Sequence, residues 1–129
     1  MRRETACTTD SLTLGLMAKY WEIGKVKTRL GASIGMSRSA RIHQIFVQHL
    51  CTGLRDVGTA RSICLSPIEC QSIVTGLLKT LPSRPDWNIV DQGDGDLGER
   101  MLRWFKAQLP DDRSCAILIG ADCPTIDLD

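Results

Sequence analysis

Apolar and polar positions follow one another along this chain in blocks whose period switches between strand and helix. Leu12-Thr13-Leu14-Gly15-Leu16-Met17-Ala18 is a short apolar run of the length of a buried strand. The loop after it runs to about Met36, a longer connection than most strand-to-helix loops, and length of that kind suggests function. Gly31 and Gly35 within it let the backbone turn tightly or approach a ligand. Ser37 stands as N-cap of a helix to about Asp56, where Ile42, Ile45, Phe46, His49, Leu50 and Leu54 recur at helical spacing. Gly58 ends that helix, and Ala60-Arg61-Ser62-Ile63-Cys64-Leu65 predicts a second strand.

Ser66-Pro67-Ile68-Glu69 combines an N-cap serine, an N1 proline and an N3 glutamate, so a capping box is expected before the second helix. The apolar face of that helix is Ile73, Val74, Leu77, Leu78 and Leu81. Pro82 to Asp86 makes a turn, and Trp87-Asn88-Ile89-Val90-Asp91 predicts a third strand. A third helix follows with Leu97, Met101, Leu102, Phe105 and Leu109 as its buried stripe and Pro110 as its stop. Cys115-Ala116-Ile117-Leu118-Ile119 is an unbroken apolar run, expected of a central parallel strand covered on both faces. Strand and helix alternate throughout. The chain is therefore expected to form an α/β three-layer sandwich with a mainly parallel sheet and a central first strand. Leu14, Leu16, Ile63, Leu65, Ile89, Ile117 and Ile119 should be buried.

A length of 129 residues with 43% hydrophobic content bounds the chain to one domain, and 5% aromatic residues make its core mainly aliphatic. Residues 1–11 are polar and predict a flexible N-terminus ahead of a folded portion spanning 12–129. A formal charge of +1 and a pI near 7.6 give no reason to expect nucleic acid or an anionic membrane as the main partner. The apolar run near the N-terminus is too short to cross a bilayer and follows polar Thr8-Thr9-Asp10-Ser11, so neither a signal peptide nor a transmembrane anchor is expected. Cysteines at 7, 51, 64, 70, 115 and 123 form no CxxC pair, and His43 and His49, six apart, fall on different helix faces, which argues against zinc. Reduced, structural cysteines in a cytoplasmic protein are expected.

Chemistry concentrates at three places. Lys19, Lys25, Lys27 and Arg29 fall within eleven residues around the single glycine Gly24, directly after the first strand. A phosphate-binding loop and a solvated basic turn both fit that composition. A Walker loop does not, because Gly24-Lys25-Val26 lacks its other glycine and its Ser/Thr, and no GxGxxG follows the strand. In Gln92 to Asp96, Asp96 can cap the next helix with Glu99 as its N3 partner. Asp122, at the end of the last strand, can cap a turn before Pro124 or reach a hard cation.

Met17-Ala18-Lys19-Tyr20 with Gly24-Lys25-Val26-Lys27-Thr28-Arg29-Leu30, then Gln92 to Met101, then Ile119-Gly120-Ala121-Asp122-Cys123-Pro124 resemble three ordered motifs of one family. It is a family of small bacterial transferases with a nucleotide-diphospho-sugar transferase (GT-A-like) fold, radical-SAM/selenodomain-associated or arsenosugar-type. The resemblance covers roughly Leu12 to Pro124 and departs at Trp21 and Ile23, where members commonly carry proline, implying a less rigid loop. It implies glycosyl transfer from a nucleotide-diphospho-sugar, with nucleotidyl transfer as the alternative. Lys27 and Arg29 would bind the phosphates and Asp122 would hold Mg²⁺ or Mn²⁺. Lys19, Gly24 and Lys25 would join the phosphate loop, and Asp94 would lie near the nucleotide. Members of the family continue beyond the position of Asp129, so a C-terminally incomplete domain is expected. Such a chain would be a homodimer or a marginal monomer, with weak activity or nucleotide binding alone.

Overall fold

The computed structural model describes residues 12–109 and 113–122. The expected flexible segment 1–11, Pro110, Cys123 and Pro124 lie outside these residues. Strand β1 (Leu12–Lys19) leads through helices α1 (Thr28–Ile34) and α2 (Met36–Gly53) to β2 (Ala60–Ser66). One 3₁₀ turn (Ile68–Cys70) and α3 (Gln71–Thr80) then lead to β3 (Asn88–Asp91), and α4 (Leu97–Gln108) leads to β4 (Cys115–Gly120).

The strands pair in the order β3-β2-β1-β4, and every pairing is parallel. The register sets Leu16 between Ile63 and Ile119, and Ile63 beside Ile89. On this face α2, α3 and their C-cap residues Leu54 and Leu81 supply Val47, Leu50, Cys51, Leu54, Val74, Leu78 and Leu81, forming one core with Leu14, Leu16, Ala18, Ile63 and Leu65. Each large aliphatic side chain buried here contributes about 1.5–3 kcal/mol of transfer free energy. Trp87 closes the core, donating its indole N–H to the Cys51 carbonyl at 3.0 Å. Gly15 points to the opposite face, where a Cβ would lie 2.5 Å from the Trp104 ring, so α4 seats there because that position has no side chain.

Helices therefore cover both faces, as expected of the three-layer α/β class. The connections also fix a direction. β1 to β2 to β3 steps one way with α2 and α3 on one face, and the chain then returns past β2 and β1 to β4 with α4 on the other. This reversal makes a topological switch point between the carboxyl ends of β1 and β4, the place where open α/β sheets bind ligands.

Several expected elements differ in detail. The long connection expected as a loop contains α1, and Gly35 (φ 102°) precedes α2 where Ser37 was expected. Gly31 lets the two helices meet, since a Cβ there would fall 2.4 Å from the Met36 sulfur. The buried side of α2 is Ser39, Ala40, His43, Val47, Leu50 and Cys51, while Ile45 and His49 face outward. Small and polar side chains let this helix approach the sheet. No capping box forms at Ser66, because that residue extends β2 and its carbonyl accepts from the Tyr20 N–H at 2.9 Å. Ile73 on α3 is exposed. On α4 the buried residue is Trp104, with Leu97, Leu102 and Leu109 exposed.

β4 corrects the expectation of a central strand covered on both faces. It is an edge strand among the described residues, so Ile117 is 47% exposed and Ile119 half-buried, and Ile89 on β3, at the opposite edge, is half-buried as well. The cysteines divide as well. Cys51 and Cys64 are buried free thiols pushed up to about 12 by desolvation, and Cys70 is free and half-buried. Cys115, half-buried at the start of β4, is disulfide-bonded, correcting the expectation of a reduced thiol there. Among the described residues no helix is long and apolar enough to cross a membrane.

Candidate functional site

The first motif leaves β1 through a loop with a fixed base. Tyr20 N–H bonds to Ser66, Glu22 N–H to the Tyr20 carbonyl at 2.8 Å, and Lys25 N–H to the Glu22 carbonyl at 3.0 Å. Gly24 (φ 84°) supplies the left-handed residue this turn needs. Trp21 packs against the core with its ring 4.9 Å from that of Tyr20, and Val26 is buried, so apolar anchors hold the loop where proline is absent. Lys27 then takes a left-handed conformation (φ 48°, ψ 48°) immediately before α1. Such a backbone in a non-glycine residue costs about 1–3 kcal/mol and persists where the surroundings enforce it.

That conformation carries the Lys27 side chain back toward β4. Its Nζ donates to Asp122 Oδ1 at 2.7 Å and lies 4.6 Å from the Phe46 ring centroid. The Lys27 side chain is 15% exposed and that of Asp122 85%, so the lysine is enclosed and the carboxylate open. The hydrogen bond from Lys27 holds the Asp122 carboxyl below the usual carboxylate range, against a smaller opposing effect of partial desolvation. His43 sits behind this pair. Its Nε2 lies 2.7 Å from the Lys19 carbonyl, and because a carbonyl only accepts, the proton is on Nε2. Nδ1 is buried without a hydrogen-bond partner among the described residues. Burial, chiefly, lowers the His43 pKa and outweighs the hydrogen bond to the Lys19 carbonyl, which raises it; the charges of Lys27 and Lys19 lower it and that of Asp122 raises it, and the balance favours the neutral ring.

The second motif builds the neighbouring strand end. Buried Gln92 donates through Nε2 to the carbonyls of Ala18 at 3.1 Å and Cys64 at 2.9 Å, tying β3 to β2 and β1. Arg100 donates to Gln92 Oε1 at 3.0 Å and to the Gly95 carbonyl at 2.9 Å. Arg103 donates to the carbonyls of Gln92 at 2.7 Å and Asp94 at 2.9 Å. Asp96 and Glu99 form the expected capping box of α4.

Of the residues expected in a site, Lys27 and Asp122 come together. Lys19 at the end of β1, Lys25 next to Gly24 in the loop, and Arg29 in the first turn of α1 are exposed. Asp94 is exposed at the end of β3, with β2 intervening before β1, and among the described residues no hydrogen bond or ion pair joins it to Lys27 or Asp122. His43, Phe46, Gln92, Arg100 and Arg103 were not anticipated. Arg103 has a local signal, since Gly93 (φ 78°) leaves the space that its guanidinium fills. His43 and Phe46 could be found only by knowing which face of α2 is turned to the strand ends.

The donor set can be tested for a divalent cation. Among the described residues no three His, Cys, Asp or Glu side chains gather as a closed protein site requires. One open carboxylate beside a basic loop fits instead Mg²⁺ or Mn²⁺ of the kind held by one or two carboxylates and completed by phosphate oxygens.

This arrangement of sheet, switch point and basic loop is that of a nucleotide-diphospho-sugar transferase fold. A crystal structure at 1.90 Å from Desulfovibrio desulfuricans G20, provisionally named a nucleotide-diphospho-sugar transferase, matches with a TM-score of 0.74 and 29% identity over 91% of this chain. The match covers 49% of that protein, so the present chain spans about half its length. The chain belongs to the family described as "Uncharacterized protein conserved in bacteria (DUF2064)", which it matches over residues 50–129, a range holding the second and third motifs. No curated protein matches it.

Proposed function

We propose that this chain binds the diphosphate of a nucleotide-sugar at the carboxyl ends of β1 and β4, as the donor side of a glycosyl-transferring protein. The observation that carries the proposal is the meeting of Lys27 and Asp122 at the topological switch point, in a segment from the end of β1 to the start of α1 that carries three further cations. The likeness to a protein named for nucleotide-diphospho-sugars supports it from a separate direction.

In group transfer from such a donor the diphosphate is both handle and leaving group, and its charge grows as the bond breaks. Lys27 and Arg29 would neutralise that charge, with Arg29 suited to a two-pronged contact. Gly24 would let the loop backbone approach the phosphates, and Lys19 and Lys25 would steer the anion. Asp122 would hold Mg²⁺ or Mn²⁺, which when bound supplies Lewis-acid neutralisation of the leaving diphosphate. Asp94 would contact the nucleoside end, along the strand ends toward β3. Cytoplasmic action is the setting this proposal assumes.

Titration calorimetry with UDP-, GDP- and CDP-sugars in the presence of Mg²⁺ or Mn²⁺ tests it, followed by a product assay with the donor that binds. Saturable binding of one of them supports the proposal. Absence of binding by all three, with the chain folded, contradicts it.

A further inference from the structure

We propose that Lys27 and Asp122 act as an exchangeable latch, in which each occupies the other's ligand position until a divalent cation and a diphosphate arrive together. The proposal rests on the donor-site reading above and concerns how its two charges are regulated.

The geometry favours exchange over permanent pairing. Lys27 is fixed at both ends: its backbone is held left-handed at the start of α1, and its ammonium lies over Phe46. Asp122 is the open partner, 85% exposed at the end of an edge strand, so the carboxylate can leave while the ammonium stays. His43 acts on the Asp122 carboxyl in the sense that favours its charged form, and Lys19 is a further cation acting on His43. The locality is therefore cationic once Asp122 is engaged elsewhere.

Charge then dictates the order of events. A cation binding Asp122 alone must take the carboxylate from Lys27 and leave an ammonium beside a dication. A diphosphate binding Lys27 alone must enter beside the Asp122 carboxylate. Arriving together, each partner satisfies the group that the other has released, and no like charges are left facing. Coupling of this kind is reciprocal: whatever factor the metal adds to diphosphate affinity, diphosphate adds to metal affinity. It also predicts a gain of affinity on deleting a ligand-binding residue, which independent metal and phosphate sites would not give.

The test uses inorganic pyrophosphate, which needs no assumption about the base, and Mn²⁺. Affinities are measured by calorimetry for the wild type, Asp122→Asn and Lys27→Met, with thermal melts to establish that each is folded. Pyrophosphate is titrated in EDTA and with Mn²⁺, with correction for the complex the two form in solution. Mn²⁺ alone is followed by its paramagnetic resonance signal. In the wild type, Mn²⁺ should tighten pyrophosphate binding by about tenfold or more, within the usual scale of coupled sites. Asp122→Asn should bind metal-free pyrophosphate several-fold more tightly than the wild type and lose the response to Mn²⁺. Lys27→Met should bind Mn²⁺ alone several-fold more tightly than the wild type. If the wild type binds Mn²⁺ with pyrophosphate but either variant lacks its gain, the latch is wrong and the donor-site proposal stands. If no protein binds pyrophosphate under any condition, both fall.

Discussion

Lys27 and Asp122 stand ninety-five positions apart in the chain, and their charged atoms meet at 2.7 Å. The meeting follows from strand order. β1 and β4 are neighbours although they are first and last in sequence, and both loops leave the same end of the sheet. An exposed ion pair contributes only about 0–1 kcal/mol to stability. Its position at the switch point is the reason to look for a ligand there.

Replacing Lys27 and Arg29 together by methionine is expected to weaken nucleoside-diphosphate binding by roughly 3–6 kcal/mol, taking about 1.5–3 kcal/mol for each charge-assisted contact. Unfolding in urea should change by less than about 1 kcal/mol, since an open ion pair carries little stability. Equal affinity in the double variant would make the loop a solvated turn.

Asp94 and Asp96 separate binding from capping. Asp96→Ala removes the side chain that accepts from the Glu99 N–H and should cost about 1 kcal/mol of stability. Asp94→Ala keeps the carbonyl that Arg103 uses and should change stability by less than about 0.5 kcal/mol. Chemical denaturation checks both, and a larger loss at Asp94 than at Asp96 would contradict the assignment.

Gly15→Ala should destabilise the fold by about 1–3 kcal/mol, because its Cβ would press on the rigid Trp104 ring and on Leu118. A wild-type urea midpoint in this variant would show that α4 does not seat on β1 as described.

His43 gives the stability a dependence on pH. Its folded pKa is depressed, so as pH falls below the ordinary imidazole value of about 6.5 the unfolded chain takes up a proton that the folded one resists. Stability should therefore fall as pH drops through that window, and His43→Gln should flatten the slope. Asp122 acts lower: its depressed carboxyl stabilises the fold above the usual carboxylate value, and that contribution is lost as pH falls through the lowered one. Urea unfolding at several pH values between about 4.5 and 7.5 separates the two groups, and an unchanged slope in His43→Gln would contradict the buried neutral imidazole.

Strands and class were legible because parallel strands, buried by helices, read as near-continuous apolar runs. Helix faces were less so. On α2 the residues at 42, 45, 46 and 49 compete with 40, 43, 47 and 51, and the large apolar side chains of the first set hide the second, which lies closer to the sheet. Only Leu50 and Leu54 are common to both. On α4 the space over Gly15 selects Trp104, and nothing on α4 itself reveals that space. Similarly, Lys27 and Asp122 could be named from their motifs, but their contact depends on β4 returning to the side of β1 away from β2. The edge position of β4 exposes Ile117 for the same reason.

The central claim, that a diphosphate is bound between the ends of β1 and β4, is tested most directly by a crystal structure soaked with a nucleoside diphosphate and Mn²⁺. The account predicts phosphate density against the Lys27 ammonium and an anomalous manganese peak at the Asp122 carboxylate. Phosphate density elsewhere on the sheet, with the Lys27–Asp122 pair undisturbed, would contradict it.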